Sequence, residues 1–299
     1  MQRARASGRR ASSSVILIER LALKELEPLI CEELLREIDD QLVMILKQKS
    51  MEDWNKSTLY PTWKVKDVFS HILDTSIRKL SEQRDCHKDS TKKGPITSYK
   101  ELVSFIESLA DEWTNTTRRI SPKVLLTLFD AIRIELYEFM KSLDPFCDAL
   151  YSVAWAGEEK SKVWFDNARE YTEHWLHQQQ IREALNYKSL DEPKYLKPVL
   201  ETFLRCLLVT FKNLERPYGT IIKIQTIGSV KQDYYVRKDE FGWKIYIELD
   251  CEPNSEIRID SLLLCRMLSK IAEGKEIKFE IHGDMELGEE IRNATALMA

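Results

Sequence analysis

The sequence predicts an α+β protein, in which an up-and-down helical bundle is followed by a small C-terminal α+β domain with an antiparallel sheet. Two observations carry this reading. Up to about residue 186 apolar residues recur three and four apart, the spacing of amphipathic helices. Beyond it they crowd into short β-branched and aromatic runs broken by Gly219, Gly228 and Gly242. The length of 299 residues also exceeds that of one usual compact domain, so a division in two is expected.

Taken in order, residues 29–47 place Ile30, Leu34, Leu35, Ile38, Leu42, Ile45 and Leu46 on one face and predict the first helix. Turn formers follow over 55–62, and Val65, Val68, Ile72, Leu73, Ile77 and Leu80 predict a second helix over 63–84. Ser98 with Glu101 three residues on is a capping-box signature for a third helix, ending near Ile120. Ser121 and Pro122 supply the cap and first-turn residue of a fourth, ending around Leu143. An irregular stretch over 144–162 precedes a further helix over 163–185, and such a succession implies a bundle. After a boundary near 187–197, a helix is expected over 196–214. Strands are expected over 220–226, 233–236, 243–249, 256–259 and 277–281, and helices over 261–271 and 285–298.

The first fourteen residues hold four arginines, four serines and no acid, a composition that cannot build a core. The expected division is therefore a disordered tail over 1–14, a bundle over 15–190 and the α+β domain over 191–299.

Composition excludes several classes of function. Hydrophobic residues at 43% and charged residues at 31% are the balance of a soluble globular protein. With 45 basic and 49 acidic side chains spread along the chain, no electrostatic footprint for nucleic acid appears. No apolar run approaches the roughly 18–20 residues that cross a bilayer. Six cysteines stand far apart without a CxxC pair, which suits a reducing cytoplasm. The partners expected are small molecules, not nucleic acid or membrane.

The chemistry concentrates in a few residues. Glu173 and His177 lie four apart on a predicted helix and project from one face, and His71 sits in the middle of another helix. A Glu and a His at this spacing are common on solvated faces, but the chain has only five histidines, and three of them fall in these two segments. His174, about 100° around the helix from Glu173, does not share its face. Two nitrogens, one carboxylate and an open fourth position describe a catalytic zinc site, although nickel, manganese and iron accept similar sets.

These residues also carry a resemblance. The segments PTWKVKDVFSHILD, 61–74, and AREYTEHWLHQQQIREAL, 168–185, resemble the two signature helices of the mycothiol-dependent maleylpyruvate isomerase family, part of the DinB-like group of metal-binding bundles. Trp63, Val65, Asp67 and His71 fill its W-x-V-x-D-x-x-x-H stretch, and Glu173 and His177 its E-x-x-x-H stretch. The C-terminal region, ending in HGDMELGEEIRNATALMA, resembles the sterol-carrier-like domain that many members append. The resemblance runs from about Leu26 to Ala299. It implies a DinB-like four-helix bundle, a divalent metal, zinc first, held by His71, Glu173 and His177, and a low-molecular-weight thiol as cofactor or cosubstrate.

A thiol is mostly protonated near neutrality, and an open zinc position favours the nucleophilic thiolate. Reversible thiol addition to a cis double bond would give maleylpyruvate isomerase-like cis-trans isomerisation. The same first step would serve a thiol S-transferase acting on electrophiles, and a noncatalytic metal- and ligand-binding protein is the reading from another class. Around the triad, Asp67 and Asp74 are candidates to orient a ligand, and Arg182 and Gln178 to bind a carboxylate. Trp63 and Trp175 are expected to serve packing.

Overall fold

The computed structural model describes residues 23–59, 62–87, 98–270 and 277–296, so the expected tail over 1–14 lies outside the described residues. The bundle is built from α1 (Glu32–Leu46), α3 (Val65–Lys79), α5 (Pro122–Ser142) and α6 (Val163–Ala184), with α2 (Met51–Trp54) as a short turn between the first two. In it α1 and α3 each pack against both α5 and α6, while α4 (Tyr99–Thr117) lies against α3. The start signals act as expected: the Ser98 hydroxyl accepts the Glu101 amide at 3.2 Å and the Ser121 hydroxyl the Val124 amide at 3.3 Å. Leu42, Leu46, Val68, Phe69, Ile72, Leu125 and Phe129 form the apolar centre of this half.

Helix α6 has almost no wet face. From Val163 to Arg182 only Arg169 among its residues escapes full burial, because α1 and α3 cover one side and α7 (Pro193–Leu204) another. A second core joins the bundle to the sheet, running from Phe165, Tyr171 and Trp175 through Phe203 and Phe211 to Ile222, Val236 and Ile257.

The C-terminal half adds α8 (Cys206–Thr210), β2 (Ile221–Ile227), β3 (Gln232–Asp239), β4 (Gly242–Leu249), β5 (Ser255–Asp260), α9 (Ser261–Leu268), β6 (Glu280–Gly283) and α10 (Met285–Glu289). With β1 (Leu23–Glu25) they form a six-stranded sheet of order β1-β4-β3-β2-β5-β6. Alternation buries Ile222, Ile224, Tyr234, Val236 and Ile245 on one face and turns Lys223, Gln225 and Arg237 to the other, where Ile221, Tyr246 and Leu249 form a small cluster of their own.

Four features differ from the sequence reading. The pairing of β2 with β5 is parallel in an otherwise antiparallel sheet. A strand near the N-terminus, β1, completes the edge against β4, since three residues are too few for a period to show. The helix expected over 196–214 breaks at Arg205 into α7 and α8. The closing helix is a single turn, Met285–Glu289, followed by a 3-10 turn over Glu290–Asn293.

Candidate metal centre

His71, Glu173 and His177 meet where α3 crosses α6. They are 1%, 7% and 5% exposed, and one ligand atom from each lies within 4.8 Å of the others. Glu173 Oε2 and His177 Nε2 are 3.3 Å apart, and the two imidazoles stand edge to face with centroids 4.7 Å apart. The Trp63 ring closes one side, 5.0 Å from His71 and 6.5 Å from His177.

Polar side chains in such a place cost stability unless they are satisfied. Neither Glu173 Oε2 nor His177 Nε2 makes a hydrogen bond. An unsatisfied buried group costs ~1–3 kcal/mol, and two side by side ask for an explanation. The rest of His177 is held: Nδ1 lies 3.0 Å from Gln180 Oε1. An amide oxygen only accepts, so this contact orients the ring with Nε2 turned to the cluster.

A charged stripe runs beside the triad. Residues 166, 169, 173 and 177 are spaced 3, 4 and 4 apart, so Asp166, Arg169, Glu173 and His177 share one side of α6. Lys79 Nζ of α3 donates to Asp166 Oδ2 at 2.6 Å, and Gln83 Nε2 to the same oxygen at 3.0 Å. Arg169 grips Asp166 Oδ1 through Nε and Nη2 at 3.3 and 3.1 Å, reaches Glu170 Oε2 at 3.3 Å and points Nη1 at Glu173 Oε1, 3.9 Å away. Burial pushes the Asp166 carboxyl up, but Lys79 and Arg169 outweigh it and hold the group well below the usual carboxylate range.

On a neighbouring face His174 Nδ1 lies 2.8 Å from Asp39, and its Nε2 faces Glu170 Oε1 at 3.6 Å and Ser76 Oγ at 3.3 Å. Burial lowers its pKa, but Asp39 and Glu170 together raise it to about 10, so it is an imidazolium at neutral pH. Burial raises the Glu170 carboxyl, but His174, with Lys79 and Arg169, outweighs it and holds the group at about 2. His174 thus belongs to a structural ion network, as its angular offset from Glu173 implied.

The structure brings the three proposed ligands together and distributes the other candidates. Asp67 closes the first turn of α3 by accepting the Lys64 amide at 3.0 Å and pairs with Arg118; Asp74 pairs with Arg78 at 3.0 Å. Arg182 is buried and donates to the Lys188 carbonyl and Gln41 Oε1, both at 2.8 Å. It ties α6 to the connection after it, and its Nε has no hydrogen bond. Gln178 is fully buried among the helices. Trp175 serves packing as expected, its Nε1 donating to the Leu190 carbonyl, whereas Trp63 is also a wall of the site. All six cysteines are free thiols; burial, with Glu32 and Glu201 adding to it, pushes Cys31 up to about 12. Sequence reasoning missed Arg169, Gln180, Lys79 and Asp166, although the 3-4-4 polar spacing ending on His177 was there to be read.

A buried cluster of two histidines and one carboxylate, spanning two helices of a bundle, defines the class: a helical-bundle protein with a candidate metal centre. Residues 35–182 match the family model of the mycothiol maleylpyruvate isomerase N-terminal domain, and this region of the chain belongs to that domain family. The match takes in both helices that carry the triad. No curated protein matches the sequence. Among solved structures, a mutant of the mycothiol-dependent maleylpyruvate isomerase is similar over 81% of this chain and 88% of its own, at 10% identity and a TM-score of 0.49. The same isomerase in a second structure covers 79% and 86%, at 11% identity and 0.46. A UbiJ-SCP2 ubiquinone synthesis protein covers 32% of this chain and 80% of its own, at 15% identity and 0.23. Among the described residues, no helix is long and apolar enough to cross a membrane.

Proposed function

We propose that this chain is a metal-dependent enzyme that activates a low-molecular-weight thiol and uses it for maleylpyruvate isomerase-like cis-trans isomerisation. The observation that carries the reading is the convergence of His71, Glu173 and His177 in a buried place where Glu173 Oε2 and His177 Nε2 have no hydrogen bond. Their 3.3 Å separation is about the edge of a tetrahedron with metal–ligand bonds of ~2.0–2.1 Å. The donor set fits zinc. When bound, such a metal supplies Lewis acidity that lowers the pKa of a coordinating thiol.

The chain's own residues contribute the rest. Gln180 orients the His177 ring, Arg169 and Lys79 offset the acidic side chains around the site, and Trp63 excludes water from the histidines. In the reaction the thiolate sulfur bonds to one alkene carbon and the displaced electron pair moves into the conjugated carbonyl. The remaining single bond turns, and the pair returns to expel the thiolate from the trans product.

The test joins metal analysis to calorimetry. The purified protein should hold about one divalent metal per chain, with His71→Ala or His177→Ala losing most of it and Glu173→Gln weakening it. The metal-loaded protein should bind mycothiol or another cellular thiol with release of protons, counted in buffers of different ionisation enthalpy. No binding at millimolar thiol, or binding unchanged after chelation, overturns the proposal.

A further inference from the structure

We infer that Arg169 is a positioning residue that makes Glu173 a one-oxygen ligand; the inference rests on the metal centre proposed above. The two oxygens of Glu173 face different groups. Oε2 looks at His177 Nε2, 3.3 Å away, while Oε1 looks at Arg169 Nη1, 3.9 Å away. That second distance is too long for a hydrogen bond and short enough for strong charge attraction in a site shielded from water.

The direction of the guanidinium is not free to change. Nε and Nη2 are committed to Asp166, and Nη2 also to Glu170, so the planar fork leaves Nη1 as the end that meets Glu173. Asp166 is in turn anchored by Lys79 and Gln83 from the α3 side. The line Lys79–Asp166–Arg169–Glu173 therefore runs from one ligand-bearing helix to the other. It fixes the rotation of the Glu173 carboxylate about its own axis, and with it which oxygen is presented to the two histidines. A carboxylate so held cannot swing both oxygens toward one cation, which favours the low coordination numbers of zinc over those of calcium or magnesium.

Arg169 is the only residue of α6 between 163 and 182 that is not fully buried, its side chain being 28% exposed, so it stands between the cluster and solvent. The buried carboxylates it touches do not need it there for burial's sake alone, since Lys79 already neutralises Asp166 and His174 faces Glu170.

Co2+ serves as the probe, because its visible absorption weakens as coordination number rises. Affinity is read by competition with a chromophoric chelator for the full-length protein, Arg169→Lys and Arg169→Gln, with helical content checked by circular dichroism. Loss of an outer-shell partner of this kind lowers metal affinity about 10–100-fold. Arg169→Gln should fall in that range with a weaker Co2+ band, and Arg169→Lys, which keeps the charge but not the fork, should fall between it and the parent. Should Arg169→Gln not fold, Arg169→Lys carries the reading alone. Parent-like affinity and spectrum in the folded variants overturn the role of Arg169 and leave the metal centre standing. A parent protein that takes up no Co2+ overturns the metal centre itself, and this inference with it.

Discussion

The buried Lys79–Asp166 pair offers the sharpest test of how the bundle tolerates so much charge. Both side chains are at most 4% exposed, and the Nζ–Oδ2 distance is 2.6 Å. Replacing Lys79 by Met keeps volume and removes the charge, which strands a carboxylate in the core. Stranding a buried ion costs ~3–5 kcal/mol, but Gln83 and Arg169 still hold Asp166, so about 2–4 kcal/mol is expected at pH 7. For a chain of this size that lowers the melting midpoint by roughly 3–6 °C. The pH dependence follows from the depressed pKa of Asp166. A carboxyl whose folded pKa lies below its unfolded value adds stability above about pH 4, and that stability is lost as pH falls through the folded value. Without Lys79 much of this contribution is gone, so the gap between variant and parent should be full at pH 7 and narrow below about pH 4. Adding Asp166→Asn to Lys79→Met should recover at least half the loss, because no unpaired charge remains. Thermal melts at pH 7, 5 and 3.5 give all of these values. A single variant within about 0.5 kcal/mol of the parent, or a double variant no better than the single, would refute the claim that Lys79 is there to neutralise Asp166.

Three further outcomes are expected. Gln180→Leu removes the acceptor that orients His177 and should weaken metal binding about 10-fold or more without changing the fold, as read by chelator competition. Trp63→Ala should cost ~3–5 kcal/mol, because it opens a large cavity against His71, and should let a histidine-modifying reagent reach His71 and His177, which are sealed in the parent. Gly283→Ala should cost at least ~1–3 kcal/mol in a denaturant titration. Its φ of +83° is strained for any side chain, and an added Cβ would lie 2.4 Å from the Asn254 carbonyl oxygen, a backbone atom that cannot turn aside.

What was legible in the sequence divides along a physical line. Helices α1, α3, α4 and α5 each have a wet face and a dry face, and the apolar period with Ser98 and Ser121 as caps was enough to place them. The strands β2, β3 and β4 alternate for the same reason. Three-residue β1 carried no period, and the parallel pairing of β2 with β5 depends on a crossover that local pattern does not record. The clustering of His71, Glu173 and His177 was legible from spacing and resemblance, because residues four apart such as Glu173 and His177 share a helix face. The contacts of Arg182 with Lys188 and Gln41 were not legible, since nothing local shows that those residues would lie against it.

The deeper lesson lies in α6. Its residues Asp166, Asn167, Glu170, Glu173, His174, His177, Gln178, Gln179, Gln180 and Arg182 would mark an exposed surface anywhere else, yet all are buried. Enclosing a polar helix requires its neighbours to answer its charges, and many are met from α3 through Lys79 and Ser76 and from α1 through Asp39 and Gln41, while the Gln178 amide makes no hydrogen bond. That requirement explains both the site and why the charge network around it was not read from the sequence. Burial on every side removes the periodic pattern that sequence reading relies on. The same burial provides the dry, charge-balanced setting in which two histidines and one glutamate can be held facing one another, with Glu173 Oε2 and His177 Nε2 left for a cation to join.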